Sequence, residues 1–209
     1  ADGHKMKCTP NHKCLVKFDN ADRNKYAVYL MVKGNNARIG MCRLNYHNGF
    51  GLAIRSHSEE ADFSHILDVF HTEREARVAE IITSYRFSIP QLMFKNNGCC
   101  SADQIFINEV YEKIGNNLEN AKKCVESFGR NWEYPLWSKE KKEKFGKLSQ
   151  NYIGSRKSFI TQACNLISDF MLMRTFDGTN RGGRWSKIKI EKEIVKTTVY
   201  SLKVEPTED

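Results

Sequence analysis

The sequence has little proline, no long apolar run and no CxxC motif, and each of these absences argues against a class of protein. Four prolines in 209 residues, without any internal repeat, exclude a collagen-like or proline-rich chain. The longest apolar stretches, such as residues 28–32, are about five residues long, whereas a membrane-spanning helix needs ~20. No charged-then-apolar leader opens the chain. We therefore expect a soluble, intracellular protein that has no membrane partner.

Cysteine is present, but not in the arrangement of a disulfide framework or a zinc finger. The seven cysteines are an odd number and are scattered along the chain, which favours reduced thiols in a reducing compartment. His4, Cys8, His12 and Cys14 lie close together, but their spacing matches no common zinc motif. Buried or unused thiols are the simpler interpretation.

Positive charge is what the sequence has in excess. Lysine and arginine number 33 against 25 acidic residues, a formal net charge of +8, and 40% of the residues are hydrophobic. Such a chain can bury a core, and its charge favours a polyanionic partner, either nucleic acid or an anionic membrane surface.

The hydrophobic pattern between residues 26 and 90 predicts a small mixed unit. Gly34, Asn35 and Asn36 are suited to a hairpin turn, and Thr72 with Glu75 forms a capping box that starts a helix. The predicted elements are strands over 26–33 and 37–42, a short helix over 50–57, a strand over 66–70 and a helix from 73 to about 85.

Helical periodicity then returns, followed by a basic run. Apolar residues at 105, 106, 110 and 114 predict one helix, and those at 118, 121, 125 and 128 predict a second. The cations after them are Lys139, Lys141, Lys142, Lys144, Lys147, Arg156 and Lys157. They form either a solvated face or a set of phosphate contacts, in which case DNA binding should depend steeply on salt.

Within the 26–94 block, several residue types suit phosphodiester hydrolysis. Glu80 on the capped helix can hold one Mg²⁺ (or Mn²⁺), a cation that takes oxygen ligands. Arg55 offers permanently charged donors to a phosphate. Tyr29, with Tyr26 as its neighbour on the same strand, can position or deprotonate a water if nearby cations lower its pKa. Each residue also has an ordinary structural interpretation, as a core aromatic, a surface charge or a helix boundary.

The order of these residues resembles the GIY-YIG nuclease family. Ala27-Val28-Tyr29 is similar to the GIY tripeptide, Arg38-Ile39-Gly40 to YIG, and Glu75 through Glu80 to the helix that carries the metal ligand. The segment from Phe50 to Phe94 resembles that domain in phage-type homing endonucleases. The resemblance implies a small antiparallel sheet flanked by helices, a magnesium-dependent cut in duplex DNA, and residence in a cell or a phage-infected cell.

Two departures from the family pattern bear on the chemistry. Arg38 stands where the family has the YIG tyrosine, and arginine cannot act as a general base. It could instead lower the pKa of Tyr29 or bind phosphate. The arginine of the following helix comes late after Gly40, so Arg43 is an alternative to Arg55.

Both ends of the chain resemble parts of an intein. Thr9 and His12, in the segment 2–16, are similar to the Thr-x-x-His block that assists the first acyl shift, and the segment 199–205 is similar to the strand before the C-terminal splice junction. If 1–18 and 185–209 belong to one splicing fold, they should pair with each other. A nucleophile at the start and a His-Asn pair at the end are both missing, so splicing would require further intein segments or the flanking host protein as partners.

Together these features predict an α+β protein in four parts. These are an intein-like flank over 1–18, a GIY-YIG domain over 26–98, a helical and basic DNA-binding region over 99–175, and a second intein-like flank over 185–209. The predicted function is a DNA endonuclease carried within an intein. The alternatives are a splicing module whose nuclease has decayed and a non-catalytic DNA-binding protein.

Overall fold

A computed structural model of the chain describes residues 5–19, 24–46, 49–96, 98, 102–140, 158–174 and 184–193. The strands are β1 (Lys13–Phe18), β2 (Tyr26–Lys33), β3 (Asn36–Arg43), β4 (Asn45–Tyr46), β5 (Gly49–Phe50), β6 (Phe63–Phe70), β7 (Trp137–Ser138), β8 (Phe159–Gln162), β9 (Met171–Arg174) and β10 (Trp185–Lys187). The helices are α1 (Gly51–Ser58), α2 (Glu73–Phe87), α3 (Gln104–Ile114) and α4 (Leu118–Ser127). Every described strand pairing is antiparallel, which confirms the α+β class.

The central sheet has the strand order β3-β2-β6-β7, and the predicted hairpin supplies β2 and β3. Lys33 pairs with Asn36 across a two-residue loop, and Gly34 adopts φ +57° at the first loop position. That conformation suits the twist of two antiparallel strands and costs glycine little. The hairpin, α1, β6 and α2 then follow in the predicted order.

Both faces of the central sheet are covered, which explains why β2 is buried almost throughout. One face packs against α2 and α4 through Val28, Leu30 and Val32, and the other packs against α1 and α3 through Ala27, Tyr29 and Met31. A strand covered on both faces is apolar in nearly every position. The apolar run of β2 therefore reflects its central place in the fold.

A second sheet, with the order β10-β9-β1-β8, packs on the α1 side of the central sheet. Its inner face contributes Val16, Phe159 and Met171 to the same core as Tyr29. Phe18 of β1 stacks on Phe50 with ring centroids 4.8 Å apart. The two sheets thus share one hydrophobic core.

The structure corrects several details of the predicted helices. The helix α2 extends to Phe87 and ends where Ser88 takes up a left-handed conformation with φ 52°. Its predicted start at residue 73 is confirmed, with the capping box of Thr72 and Glu75. The helix α3 is also confirmed, but Ile105 and Phe106 are exposed while Ile107 and Tyr111 are buried. Apolar periodicity located this helix without identifying the face that it buries. Among the described residues, no helix has the length and apolar character needed to cross a membrane.

The prediction of a helical region over 99–175 is correct for α3 and α4 and wrong for β7, β8 and β9. Direct pairing of the two flanks is also wrong for the described residues. Strand β1 pairs with β8 and β9, whereas β10 pairs with β9. The flanks share a sheet with β9 between them; β9 and β10 are close in sequence, so bringing them together costs little chain entropy. The segment 199–205 lies outside the described residues.

Candidate active site

Tyr29 lies against Gly40 on the face of the central sheet that points towards α1. The two residues are direct partners across β2 and β3, and Tyr29 is 2% exposed. A Cβ atom on Gly40 would lie 2.5 Å from the Tyr29 hydroxyl oxygen and 2.8 Å from Arg38 Nη2. Only glycine leaves this space open, so Gly40 allows the phenol and the guanidinium to lie on the same surface of β3.

Arg38 is held in a buried ion pair. Its Nη1 donates to Glu59 Oε1 at 2.5 Å, and its Nη2 donates to the carbonyl of Ile39 at 3.3 Å. Glu59 follows α1 directly and is fully buried, and its Oε2 accepts the N–H of Phe94 at 3.0 Å. The guanidinium carbon lies 5.8 Å from the centre of the Tyr29 ring. Arg38 is therefore bound to the protein itself beside Tyr29.

Arg55, rather than Arg43, approaches Tyr29. Arg55 projects from α1 and is half-buried, and its charge acts on both Tyr29 and Cys42. It also forms a hydrogen bond with the Tyr46 side chain. Arg43 alternates with Cys42 along β3, so it lies on the opposite face, and it is exposed. Of the two arginines that the sequence left as alternatives, Arg55 therefore lies near Tyr29 and Arg43 does not.

Glu80 lies at the outer edge of β3. It is 8% exposed on α2, and the backbone N–H of Met41 donates to its carboxylate. Burial raises the pKa of Glu80, while the charges of Arg38 and Arg77 and the hydrogen bond from Met41 act in the opposite direction. Glu80 is therefore a buried carboxylate close to Arg38, at the position where the sequence expected a metal ligand.

With its single carboxylate, Glu80 could serve as the protein ligand of a magnesium ion that keeps most of its waters. Among the described residues, no cation lies within ion-pair distance of the Glu80 carboxylate, and no group of three or more His, Cys, Asp and Glu side chains could hold a metal. Mg²⁺ is commonly bound through one or two carboxylates plus water and substrate phosphates. Glu80 is the residue that would hold it.

The two tyrosines of β2 are on opposite sides of the sheet. Tyr26 packs with Val28 and Leu30 towards α2, whereas Tyr29 points towards α1. Burial raises the pKa of Tyr29 well above its usual value, although Arg38 and Arg55 lower it. Tyr29 therefore keeps its proton at neutral pH and can orient a water by hydrogen bonding, but it is not a base there. Tyr26 does not belong to this group.

The sequence did not single out three residues of this neighbourhood, namely Glu59, Tyr46 and Cys42. Glu59 had no distinguishing signal, because Glu60 and Asp62 beside it look alike in the sequence and are only partly covered. Cys42 lies among the charged groups, and burial raises its pKa to about 12 against the lowering effect of Arg55 and Arg38. It is therefore a neutral thiol that packs beneath the site.

Most of the predicted DNA-binding cations lie outside the described residues, namely Lys141, Lys142, Lys144, Lys147, Arg156 and Lys157. Lys139 is described and exposed, and its N–H donates to the carbonyl of Asp62 at 2.8 Å. Its side chain lines a cavity of about 560 Å³ together with Asp62, Glu133 and Glu140. These carboxylates make the Lys139 end of the run less suited to phosphate than a purely basic surface.

Thr9 and His12 form a turn before β1. The N–H of His12 donates to the carbonyl of Thr9 at 3.0 Å, and the Thr9 hydroxyl donates to Asn11 Oδ1 at 2.5 Å. The turn is fixed to the 3₁₀ segment Ala163–Asn165, because the N–H of Ala163 donates to the His12 carbonyl at 2.8 Å. These contacts describe a stable turn with an exposed imidazole.

Comparison of the chain with protein-family models, with curated proteins and with solved structures finds no match in any of the three.

Proposed function

We propose that the chain is a magnesium-dependent endonuclease of the GIY-YIG type that hydrolyses phosphodiester bonds in duplex DNA. One observation carries the proposal. Tyr29, Arg38, Arg55 and Glu80 come from four different elements, and Arg38 connects them: its charge acts on both Tyr29 and Glu80, while the charge of Arg55 acts on Tyr29. The order of hairpin, α1, β6 and α2, with β2 central between β3 and β6, supports the same proposal.

Each side chain has a different role in hydrolysis, which follows from its charge and its hydrogen-bonding capacity. Arg55 binds the oxygens of the scissile phosphate, where negative charge increases during hydrolysis. Tyr29, protonated at neutral pH, orients the attacking water. Arg38 does not reach the DNA, because Glu59 and burial hold it in place. A magnesium ion on Glu80, when bound, supplies positive charge that stabilises the developing phosphate charge.

The net charge of +8 and the basic run beginning at Lys139 support duplex DNA as the substrate. We further propose that the nuclease is carried within an intein, with residues 1–18 and 185–209 as parts of the splicing fold. The presence of β1 and β10 in one sheet supports this relation, although β9 separates them. The remaining intein segments or the host protein would then be partners.

Substitution of Glu80 by glutamine tests the proposal. Glu80→Gln keeps the shape and can still accept the Met41 N–H, but it removes the charge that a magnesium ion requires. In a plasmid-nicking assay with Mg²⁺, we expect cleavage to fall at least ~100-fold while DNA affinity changes little. Glu119→Gln, an exposed change on α4, is the matched control and should cleave like the wild type. Full cleavage by Glu80→Gln would remove Glu80 from the site.

A non-catalytic DNA-binding protein is the second candidate, and one observation favours it. The Tyr29 side chain is almost inaccessible, and Arg38 occupies the YIG tyrosine position in an internal ion pair. A splicing module with a decayed nuclease would look the same. Both alternatives predict DNA binding without magnesium-dependent nicking by the wild-type chain, so the same assay separates them from the nuclease.

A further inference from the structure

The second sheet has one face in the core and one face in solvent. Along β1, Cys14, Val16 and Phe18 are buried, and the residues that alternate with them point outward. Strand register extends the outer face across the other three strands. Its described members are Lys13, Leu15, Lys17, Ile160, Gln162, Leu172, Arg174, Trp185 and Lys187. We call this set the outer face.

The register places cations and apolar groups side by side on the outer face. Lys17 pairs with Leu172, which pairs in turn with Lys187, and in the next row Arg174 pairs with Trp185. Direct cross-strand neighbours have Cβ atoms about 4.5–5.5 Å apart. Lys17, Lys187 and Arg174 therefore each have an apolar or aromatic neighbour within contact distance, whereas Lys13 pairs with Gln162.

These side chains are accessible and mostly lack acidic partners. Leu15 and Ile160, which pair directly, are 41% and 66% exposed. Lys17 Nζ lies 4.7 Å from the centre of the Trp185 ring. Lys187 pairs with Asp19 at 3.3 Å, and this is the one ion pair that any outer-face cation forms within the described residues. The outer face is therefore a positive surface with an aromatic and aliphatic lining.

We propose that the outer face binds single-stranded nucleic acid. Lysine and arginine on a sheet attract the phosphate backbone, while an indole and neighbouring aliphatic groups offer a surface on which unpaired bases stack. The face measures roughly 14 Å across the four strands and roughly 13 Å from Lys13 to Lys17, enough for a few nucleotides. This function is separate from cleavage at Glu80 and does not depend on it.

Single strands fit this surface better than a duplex does. A duplex stacks its bases internally and presents phosphates at the surface, so it would leave Leu15, Ile160 and Trp185 without a partner. Exposed bases would cover these groups and keep the phosphates close to the lysines. An anionic membrane surface also combines negative charge with apolar contact, and the experiment includes it as a competing outcome.

Fluorescence anisotropy with the full chain, in EDTA so that no cleavage occurs, tests the proposal. The probes are a labelled oligo(dT) and an oligo(U) of about 12 nucleotides, a duplex of the same length, and vesicles containing phosphatidylserine. The variants are Trp185→Ala, Trp185→Phe and the double change Lys17→Gln with Lys187→Gln. The matched control changes Lys122 and Lys123 to Gln, since both are exposed on α4, away from the outer face.

We expect one or both single strands to bind, and we expect the outer-face changes to weaken single-strand binding more than duplex binding. Trp185→Ala should weaken single-strand binding roughly 5- to 100-fold, and Trp185→Phe should largely retain it, because stacking needs an aromatic ring. Loss of Lys17 and Lys187 should flatten the log–log salt dependence by about 1.4, whereas the control should leave it unchanged. The Trp185→Phe and lysine variants decide the question if Trp185→Ala fails to fold.

Three results would overturn the proposal. These are duplex binding that the Trp185 and lysine changes weaken as much as single-strand binding, single-strand binding that neither change affects, and binding to vesicles without binding to oligonucleotides. Because no cleavage is measured, an inactive nuclease would not affect any of these outcomes.

Discussion

At the scale of single residues, Arg38 and Glu59 form the most tightly constrained pair in the candidate site. Both are buried, and every charged oxygen of Glu59 has a donor, from Arg38 and from the N–H of Phe94. Removing both charges from such a pair is often tolerated, whereas removing one leaves an uncompensated buried charge. The pair also ties β3 to the end of α1 and to the segment that follows α2.

Arg38→Met should therefore lower the free energy of unfolding by about 3–5 kcal/mol. Adding Glu59→Gln should recover most of this loss, since glutamine can still accept the Phe94 N–H and no charge remains unpaired. Urea unfolding measures both variants. As a control, breaking the exposed pair between Arg77 and Glu73 should cost less than about 1 kcal/mol. A double variant as unstable as Arg38→Met would show that packing, not charge, decides the cost.

Glu80 should make stability depend on pH in the direction opposite to a salt-bridged carboxylate. Burial is the main cause of its raised pKa. The native state therefore holds the proton more tightly than the unfolded state, and stability falls as pH rises from the unfolded pKa of about 4.3 through the native value. Glu80→Gln should remove this decline, so the variant should be at least as stable as wild type at pH 7 and equal to it near pH 3.

Glu75 on the same helix provides a control, because its effect on the pH dependence of stability should have the opposite sign. Hydrogen bonds from Thr72 lower the pKa of Glu75, so its contribution is present at neutral pH and is lost as pH falls below its unfolded pKa. Glu75→Gln should therefore reduce stability at pH 7 and change little at pH 3. Thermal unfolding across this range measures both variants, and the same pH trend in both would contradict the assignment.

At the scale of elements, β3 is an edge strand of the central sheet, and groups from three other segments form hydrogen bonds with its outer backbone. Asn117 holds the backbone of Ala37, the carbonyl of Pro90 accepts the N–H of Ile39 at 2.9 Å, and Glu80 accepts the N–H of Met41. An edge strand left open invites pairing with another chain. Glu80 therefore helps to stabilise this edge, in addition to its proposed role as a metal ligand.

Asn117→Ala should destabilise this edge. Asn117 Oδ1 accepts the Ala37 N–H at 2.6 Å, and its Nδ2 donates to the Ala37 carbonyl at 3.0 Å. Both backbone groups are buried, so losing their partner should cost about 2–4 kcal/mol. Asn117→Asp keeps the acceptor for the Ala37 N–H but sets a carboxylate oxygen against the Ala37 carbonyl, so it should protect the amide without restoring the stability. Hydrogen exchange of the Ala37 amide checks the mechanism, because it should accelerate in the alanine variant and much less in the aspartate variant.

At the scale of the whole molecule, Arg130 connects the central sheet to the segment that follows β8. Its Nη1 donates to the carbonyls of Cys164 and Leu166 at 3.1 and 2.8 Å, and its Nη2 donates to the carbonyl of Leu67 on β6 at 3.3 Å. One guanidinium thus joins the backbone of the central sheet to the segment between β8 and β9 of the second sheet. Its planar fork reaches three acceptors that a lysine amine could not reach together.

Arg130→Met should lower the free energy of unfolding by about 2–4 kcal/mol, because three partly buried carbonyls lose a charged donor. Arg130→Lys should recover only part of this loss. If the shared core makes the two sheets unfold together, fluorescence and circular dichroism should report one common transition in both variants. Separate transitions would show that Arg130 is what couples the sheets.

Local sequence determined the elements of the central unit. The strand pattern of β2 and β3, the loop glycine at 34 and the capping box of Thr72 and Glu75 act between near neighbours in the chain, so they specified the hairpin and α2 correctly. Residue chemistry also pointed to Tyr29, Arg55 and Glu80; the fold brings Arg55 to Tyr29, and it brings both Tyr29 and Glu80 to Arg38.

Tertiary structure alone decided the contacts between distant residues. The partner of Arg38 is Glu59, 21 positions away, and only the packing of α1 on β3 brings the two together. The same packing brings Arg55, rather than Arg43, to Tyr29. The position of Tyr26 on the opposite face, by contrast, follows from strand alternation alone. The pairing of β1 with β8 and β9 also depends on which strands can reach it in space. Local pattern fixes which residues point inward, but burial and the charges around each side chain come from the elements that pack against it.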